Sequence, residues 1–537
     1  MKLVTVKQIR EIDRYAIEDL GIPGTTLMKN AAERVAKLAL EHIPPGGYAA
    51  VFCGTGNNGG DGIGAAAFLL EKGVSIRTFI IGEADNLTPD SQEMYNRLKS
   101  LGGSLEHFSL SADLVDYVSN CAVIIDAIFG IGLNSDLHGD ALSAISVINS
   151  SHAFIISADI PSGVHADTGA VLGDAVKADI TATFSLAKPG HYVEPGCIYC
   201  GEVHVCDIGI PREALGGIVS HMYAAAPGDI HLPRRRRNTH KGDYGHALII
   251  AGSVGYTGAP ALSARAATKM GAGLVSLGVP SSIFDIMAAK LDEEMPFPLP
   301  DDNKGQLIAN AASEILRRAG QSDVCLIGPG LGKSDGIAEL VQSITRLSET
   351  PIVLDADGLN AIAGNIDILN QTTCPLILTP HPGEFERLGG KLGMVSAPVN
   401  ANAPDLGGFD PIGGNLPVRK PAAPVDRIKI ACEFASKHGC ILVLKGHRTI
   451  MALPNGTAYI NTTGGPAMAK GGTGDVLAGM IAALIAQKLP IVHAVAAAVY
   501  IHGLAGDICA AEFSEYSVTA SDIIAMLPKA IKKIDTA

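Results

Sequence analysis

The sequence predicts two α/β domains in series, each a parallel sheet covered by helices, and three observations support this. The chain has 537 residues, whereas a single hydrophobic core stops growing at roughly 250–300. Short apolar runs that read as buried strands alternate with helical segments along both halves. The alternation breaks between Ile210 and Ala247, where Pro211, Pro227, Pro233 and the arginines at 234–237 read as a solvated linker. The domains are placed at 1–218 and 228–535.

Composition narrows the function classes. Lys and Arg total 41 against 54 Asp and Glu, a formal net charge of −13, which argues against nucleic acid or an anionic membrane as the main partner. Hydrophobic residues make up 47%, enough for a packed core in each unit and too many for a disordered chain. Residues 1–21 carry Lys2, Lys7, Arg10, Glu11, Asp13 and Arg14 with no secretory-type apolar run. The longest apolar stretch, 476–486, falls far short of the roughly 20 residues that span a bilayer. The expectation is a soluble, cytoplasmic protein with no membrane partner. Most of the ten cysteines sit singly in apolar runs, where reduced thiols reside; Cys197 and Cys200 form a CxxC without a second pair and are read as part of a packed hairpin rather than a zinc site.

The first helix is legible from Thr5 and Gln8 as a capping box, Ile9, Ile12, Ala16 and Ile17 at helical spacing, and Gly21 with Pro23 as the stop. Strands follow at 49–53, 75–81, 122–126, 153–159 and 179–184. Beyond the linker, further strands are read from His246, Gly273, Asp323, Pro351, Pro375 and Cys440. Between Met394 and Pro424 the composition turns to Pro, Gly, Asn and Ala, which predicts a poorly ordered surface insertion without catalytic duty.

In the first half, strand 49–53 runs into Gly54-Thr55-Gly56-Asn57-Asn58-Gly59-Gly60-Asp61-Gly62 and then an apolar helix. Glycines let a backbone turn tightly, and a helix N-terminus favours an anion. Taken singly such a turn is common in any α/β fold, but three polar side chains inside it, Asn57, Asn58 and Asp61, point to a ligand or a cation. Asp126 and Asp159 stand at later strand ends, with Ser162 close behind, and neighbouring strand ends of a parallel sheet converge on one crevice. Asn58, Asp126 and Ser162 supply oxygens that suit a hard cation, whereas each aspartate alone reads as a helix cap or turn former.

In the second half, Lys470-Gly471-Gly472-Thr473-Gly474-Asp475 leads into the apolar helix 476–486. Amides of a glycine turn at a helix start form an anion hole, and Asp475 is placed to take a proton from a hydroxyl. A phosphate loop of the Gly-x4-Gly-Lys-Ser/Thr type is absent, because Ile327 stands five places before Gly332. Asp355, Asp357 and Asn360, then Thr379 to Glu384 with His381 between two prolines, then Lys445 to Thr449, follow three strands and are expected on one rim.

These motifs carry a family resemblance. Met28-Lys29-Asn30-Ala31, GTGNNGGDG, DAIFGIGL, DIPSGV and AKPGHYVEPG, in order, resemble the NAD(P)H-hydrate epimerase family, which implies a Rossmann-like three-layer domain. HKGDYG, AGSVGYTGAP, GPGLG, LDADGLN, TPHPGEF, LKGHRT and GGTGDVLAG resemble the ADP- or ATP-dependent NAD(P)H-hydrate dehydratase family, which implies a ribokinase-like α/β domain. Carried over by motif, the epimerase would hold NADHX or NADPHX on Asn57, Asn58, Gly59, Gly60, Asp61, on Gly130, Ile131, Gly132, Leu133, Asn134, Ser135, Asp136, and on Asp159, the last also catalytic. Potassium would fall on Asn58, Asp126 and Ser162. The dehydratase would hold the hydrate on Ala259, Gly330, His381 and Asp475, with Asp475 as base, and the nucleotide, ADP or ATP with Mg2+, on Lys445, Gly446, His447, Arg448, Thr449 and Gly474. The resemblance also implies a homo-oligomer. Two other readings remain open at this level: a ribokinase-type small-molecule kinase fused to a dinucleotide-binding domain, which would release a stable phosphorylated product, and a dinucleotide sensor that binds without turnover.

Overall fold

In the computed structural model the amino-terminal capping box is formed: the Gln8 N–H donates to Thr5 Oγ1 at 3.3 Å and the Thr5 N–H to Gln8 Oε1 at 2.9 Å. The helix it starts, Val6–Arg14, buries Ile9 and Ile12 in an apolar cluster with Leu27, Ala31 and Ile208. The structure describes residues 1–392 and 426–535, so the insertion expected at 394–424 lies outside the described residues. These residues form two compact units that divide between Met222 and Tyr223.

The first unit is a seven-stranded sheet. Its strands are β1 (Tyr48–Cys53), β2 (Ser75–Ile80), β3 (Leu105–His107), β4 (Cys121–Ala127), β5 (Phe154–Ala158), β6 (Ile180–Phe184) and β7 (Glu202–Cys206). They lie in the order β3-β2-β1-β4-β5-β6-β7, all parallel. Both faces are covered, which is why β1 reads as one continuous apolar run: Val51 and Cys53 enter the core on one side, Ala50 and Phe52 the core on the other. The order reverses between β1 and β4, and in such sheets the ligand crevice opens outside the strand ends at that reversal. Here those ends carry the GTGNNGGDG turn and Asp126.

The second unit holds β8 (His246–Ile250), β9 (Leu274–Pro280), β10 (Met295–Leu299), β11 (Val324–Ile327), β12 (Ile352–Leu354), β13 (Leu376–Leu378), β14 (Ile441–Leu444), β15 (Ile450–Ala452) and β16 (Ala458–Ile460). They run β16-β15-β14-β13-β12-β11-β8-β9-β10. Pairings from β10 to β14 are parallel and the last two antiparallel. Helix Thr473–Ala486 packs across the sheet, buried without a break from Val476 to Ala486, and a Cβ on Gly479 would overlap the Ser263 carbonyl of helix Gly258–Lys269. Close helix approach is what fills this stretch with Gly and Ala.

Several expectations are corrected. Edge strands β3, β7 and β10 and the hairpin β15–β16 were not anticipated. β3 and β7 are partly exposed and lack a continuous apolar run, while β10 carries Pro296 and Pro298, which edge strands tolerate. The CxxC does not form a hairpin: Cys197 lies in the short 3-10 turn Gly196–Ile198 and Cys200 Sγ bonds to the Gly196 carbonyl. The linker is partly ordered, with Arg235 stacked 3.9 Å from the Tyr244 ring centroid and bonded to Gln487. Helix Ile491–Glu512 has the length, 22 residues, and the hydropathy of a membrane span, yet 72% of its most apolar window is buried within the protein.

Candidate active sites

At the reversal in the first sheet lies a cavity of about 730 Å³. Asn57, Asn58, Asp61, Gly130, Ile131, Gly132, Leu133, Asn134, Ser135 and Asp159 all line it. Three residues of the expected set do not. Gly59 and Gly60 are buried in helix Asn57–Glu71, where a Cβ would overlap the Gly54 carbonyl oxygen and Met28 with Ser91 respectively, so their smallness serves close packing. Asp136 is exposed and outside the lining.

Asp126 and Ser162 are joined at the ends of β4 and β5. Ser162 Oγ donates to Asp126 Oδ1 at 2.6 Å, and the Ser162 N–H and Ser157 Oγ donate to Oδ2 at 2.9 and 2.8 Å. Ser162 Oγ accepts the Phe129 N–H at 2.9 Å. One residue further, a Cβ on Gly130 would stand 3.1 Å from Asn58 Oδ1. The carboxamide oxygen and nitrogen of Asn58 are both buried without a hydrogen-bond partner. A buried amide without partners costs about 1–3 kcal/mol, and its orphaned oxygen is of the kind that a hard cation takes.

Asp159 has φ +64°, a strained conformation that Asp and Asn tolerate better than most residues. Its Oδ1 accepts from Lys188 Nζ at 2.5 Å and from Thr183 Oγ1 at 3.3 Å. Lys188 also donates to Thr183 Oγ1 at 2.8 Å. The Lys188 N–H donates to His191 Nδ1, so the ring hydrogen sits on Nε2 and is given to the Asp159 carbonyl at 2.8 Å. Burial works against the Asp159 charge, yet the Lys188 ammonium overcomes it and holds the carboxyl below its ordinary range. Burial pushes His191 down to about 4, with Lys188 adding to it, so the ring is neutral. Asp61 goes the other way: burial, then the neighbouring Asp159 and Asp13, raise it above the ordinary carboxyl range, against the pull of Lys188.

In the second unit the strand ends converge as expected. Lys445 Nζ donates to Asp355 Oδ1 at 2.7 Å and lies 3.9 Å from Glu384 Oε2. Thr379 Oγ1 donates to the same Asp355 oxygen at 2.7 Å. Lys445 Nζ would also stand 3.3 Å from a Cβ on Gly474, which brings it to the first turn of helix Thr473–Ala486. Asp357 Oδ2 accepts the Gly332 N–H at 2.9 Å and its Oδ1 accepts from Asn360, tying the GPGLG loop to the same rim. Gly330, at φ +66°, sits against Ala259, with 3.2 Å between its would-be Cβ and the alanine Cβ. Burial, then Asp355, raise Asp475 to about 7, against the pull of Lys445. Burial disfavours the Lys445 charge, but Asp355 and Glu384 raise it and keep the ammonium.

His381 has a structural duty: its Nδ1 caps helix Pro382–Arg387 by accepting the Gly383 and Glu384 N–H groups, and the ring remains 52% exposed. In the loop 445–449, Gly446 and His447 are exposed, Thr449 Oγ1 donates to the Gly446 carbonyl, and Arg448, at φ +57°, donates to Thr462 O at 2.6 Å. Lys188, Thr183, His191 and Asp13 escaped the residue-by-residue reading. Lys188 lies inside the AKPGHY motif, a signal that was available; Asp13 carried none beyond its place on an amphipathic helix.

Both halves of the chain match known families. Residues 247–529 match the NAD(P)H-hydrate dehydratase family, and residues 24–190 match the YjeF-related protein N-terminus. The chain is 37% identical over its whole length to the bifunctional NAD(P)H-hydrate repair enzyme Nnr of Moorella thermoacetica, covering 97% of that protein. It is 38% identical to the enzyme of the same name from Thermofilum pendens, over 99% of this chain and 97% of that one. Among solved structures, an ADP/ATP-dependent NAD(P)H-hydrate dehydratase from Bacillus subtilis, crystallised with ATP and Mg2+, aligns with 56% of this chain and 94% of its own at 28% identity and a TM-score of 0.43. With both units matched in order and full-length relatives above 30% identity, the chain belongs to the family of bifunctional NAD(P)H-hydrate repair enzymes.

Proposed function

We propose that the cavity in the first unit interconverts the R and S hydrates of NADH and NADPH, and that the rim around Asp475 dehydrates the S form at the expense of ADP or ATP with Mg2+. The observation that carries the reading is Asp475, a carboxyl raised to about 7 in the first turn of a glycine-led helix, facing a lysine that is itself held by carboxylates. A base with that affinity for protons suits a hydroxyl substrate near neutral pH. Asp475 takes the proton of the ring hydroxyl as its oxygen attacks the terminal phosphorus, and AMP or ADP departs. The amides at Gly472 to Gly474 hold the transferring group. Phosphate then leaves the ring carbon, and loss of a neighbouring proton restores the dihydronicotinamide double bond. Lys445 to Thr449 hold the nucleotide, and Ala259, Gly330 and the exposed edge of His381 flank the hydrate.

In the first unit the hydroxyl-bearing carbon is bonded to the ring nitrogen, as hydration of an enamine requires. When the hydroxyl takes up a proton and leaves as water, the nitrogen lone pair closes a C=N bond, and water returning to the opposite face gives that proton back and inverts the centre. Asp159, held ionised by Lys188, stabilises the positive ring, and Asp61 lines the same cavity. Asn58, Asp126 and Ser162 are the residues to hold potassium, which when bound supplies a fixed positive charge at the strand ends.

Purified protein with ADP, and separately with ATP, is added to mixed R and S NADH hydrate while dihydronicotinamide absorbance is followed. Recovery of both epimers faster than their spontaneous exchange supports the reading. Recovery of S alone removes the epimerase half, and a stable phosphorylated product replaces dehydration with a kinase. For the cation, exchanging choline for potassium is expected to raise the melting temperature of the first unit and its R-to-S rate, and Asn58→Ala to abolish the difference. A melting curve indifferent to potassium in the unaltered protein removes the cation from the site.

A further inference from the structure

The cavity of the first unit is lined by two carboxyls that the expected set of site residues does not include, Asp13 and Asp90. Asp13 reaches it from helix Val6–Arg14, the element preceding the sheet. Its charged neighbours in the lining are Arg10 from the same helix, Asp61 from the helix after β1, Asp90 from helix Pro89–Ser100, Asp159 after β5, and Lys188. No described residue gives the Asp13 carboxyl a hydrogen bond or an ion pair within 4.0 Å, whereas Lys188 is committed to Asp159 and Thr183. Asp13 therefore faces the cavity unengaged, on an element whose apolar side, Ile9 and Ile12, is anchored in a core.

The three inner carboxyls are not equivalent. Asp159 is held as the anion by Lys188, so it is a weak proton acceptor. Burial raises Asp61, with Asp159 and Asp13 adding to it, so its acid form is favoured over that of an ordinary carboxyl. Burial raises Asp13 to about 6, the Lys188 charge lowering it and Asp159 raising it, so this carboxyl exchanges its proton within the working range. A group that must both give and take the same proton in one cycle works best under that condition.

We propose that Asp13 is a catalytic residue of epimerisation, the carboxyl that hands a proton to the departing ring hydroxyl and takes it back from the water that returns. The inference rests on the epimerase reading given above. The carbon–oxygen bond breaks as the Asp13 proton reaches the oxygen and water leaves. The ring nitrogen supplies the electron pair for the C=N bond. Water then adds to the other face, forming the new carbon–oxygen bond, and its extra proton returns to Asp13. No other reactant is consumed.

The test uses the full chain without nucleotide, so that the second unit is idle. Pure R NADH hydrate is added and the R-to-S ratio followed by chromatography. Asp13→Asn is expected to lower kcat roughly 100-fold or more, the usual weight of a general acid–base group, with KM within about threefold, and Asp13→Glu to restore part of the rate. The unaltered protein is expected to show an inflection in kcat near pH 6 that Asp13→Asn removes. A kcat retained within about threefold in Asp13→Asn, an effect confined to KM, or a wild-type profile flat between pH 5 and 7 would each overturn the proposal. The wild-type profile decides even where the variant folds poorly. Absence of any epimerisation by the unaltered protein overturns the epimerase reading and this inference with it, a result distinct from active wild type with active Asp13→Asn.

Discussion

Asp475→Asn is expected to reduce ADP- or ATP-driven dehydration of S NADH hydrate about 1000-fold while nucleotide affinity stays within about twofold, because the amide keeps the shape of the helix turn and cannot accept the hydroxyl proton. Single-turnover absorbance and a nucleotide titration read the two quantities separately. The unaltered enzyme should gain rate as pH rises to about 7 and level off above, since the base works ionised and burial with Asp355 raises it to about 7. The same geometry predicts a gain in stability. The unfolded carboxyl titrates near 3.8 and the folded one near 7, so the folded state carries an unfavourable charge that is felt as pH rises between those values and fully above them. At about pH 8 the Asn variant should therefore be more stable, by about 1 kcal/mol, the order found when a strained functional residue is relieved. Dehydration retained within threefold in Asp475→Asn would remove Asp475 from the base role.

Lys188→Met is expected to do the opposite to stability. The Lys188 and Asp159 side chains are 2% and 10% exposed, and breaking a buried pair by removing one partner costs about 3–5 kcal/mol. Without the ammonium, burial lifts the Asp159 carboxyl, so the folded state holds a proton that the unfolded chain releases near 3.8. The loss therefore deepens as pH rises above that value and is smallest in acid. Lys188→Met combined with Asp159→Asn should recover much of the stability, because the neutral amide tolerates both burial and the positive φ of this position, yet should not recover R-to-S conversion. Denaturation at two pH values and the chromatographic epimer assay check each part. A single variant as stable as the unaltered protein at about pH 8 would show that the pair contributes nothing.

Both predictions turn on coupling between residues far apart in sequence. Asp475 was legible because a polar residue after a run of glycines and before an unbroken apolar helix has few structural reasons to be there. Its proton affinity was not legible, since that comes first from burial and then from Asp355, Asp357 and Glu384, set against Lys445, all gathered from three other strand ends. Asp159 was legible as an aspartate ending a strand, but Lys188, which sets its charge, lies 29 positions on and reaches it only once β6 is laid beside β5. Gly59 and Gly60 carry a second demand that the turn motif does not show: close packing against Gly54, Met28 and Ser91 leaves no room for a Cβ. His381 divides between the two readings, a cap through one nitrogen and an exposed ring edge on the other side.

The sequence by itself determined the two α/β layers, the central strands of each sheet and the loops at their carboxyl ends, because continuous apolar runs and glycine turns are local signals that survive any packing. It also carried the family, through motifs whose order needs no coordinates. Only the tertiary structure decided the edge strands, which lack such a run, and the protonation of the site. The reason is physical: a strand buried on both faces writes its environment into its own residues, whereas the charge of a buried carboxyl depends on distance to partners, and distance exists only in the folded chain. Asp13 is the clearest instance, one aspartate on a surface-like helix until the fold closes it over Asp61, Asp159 and Lys188.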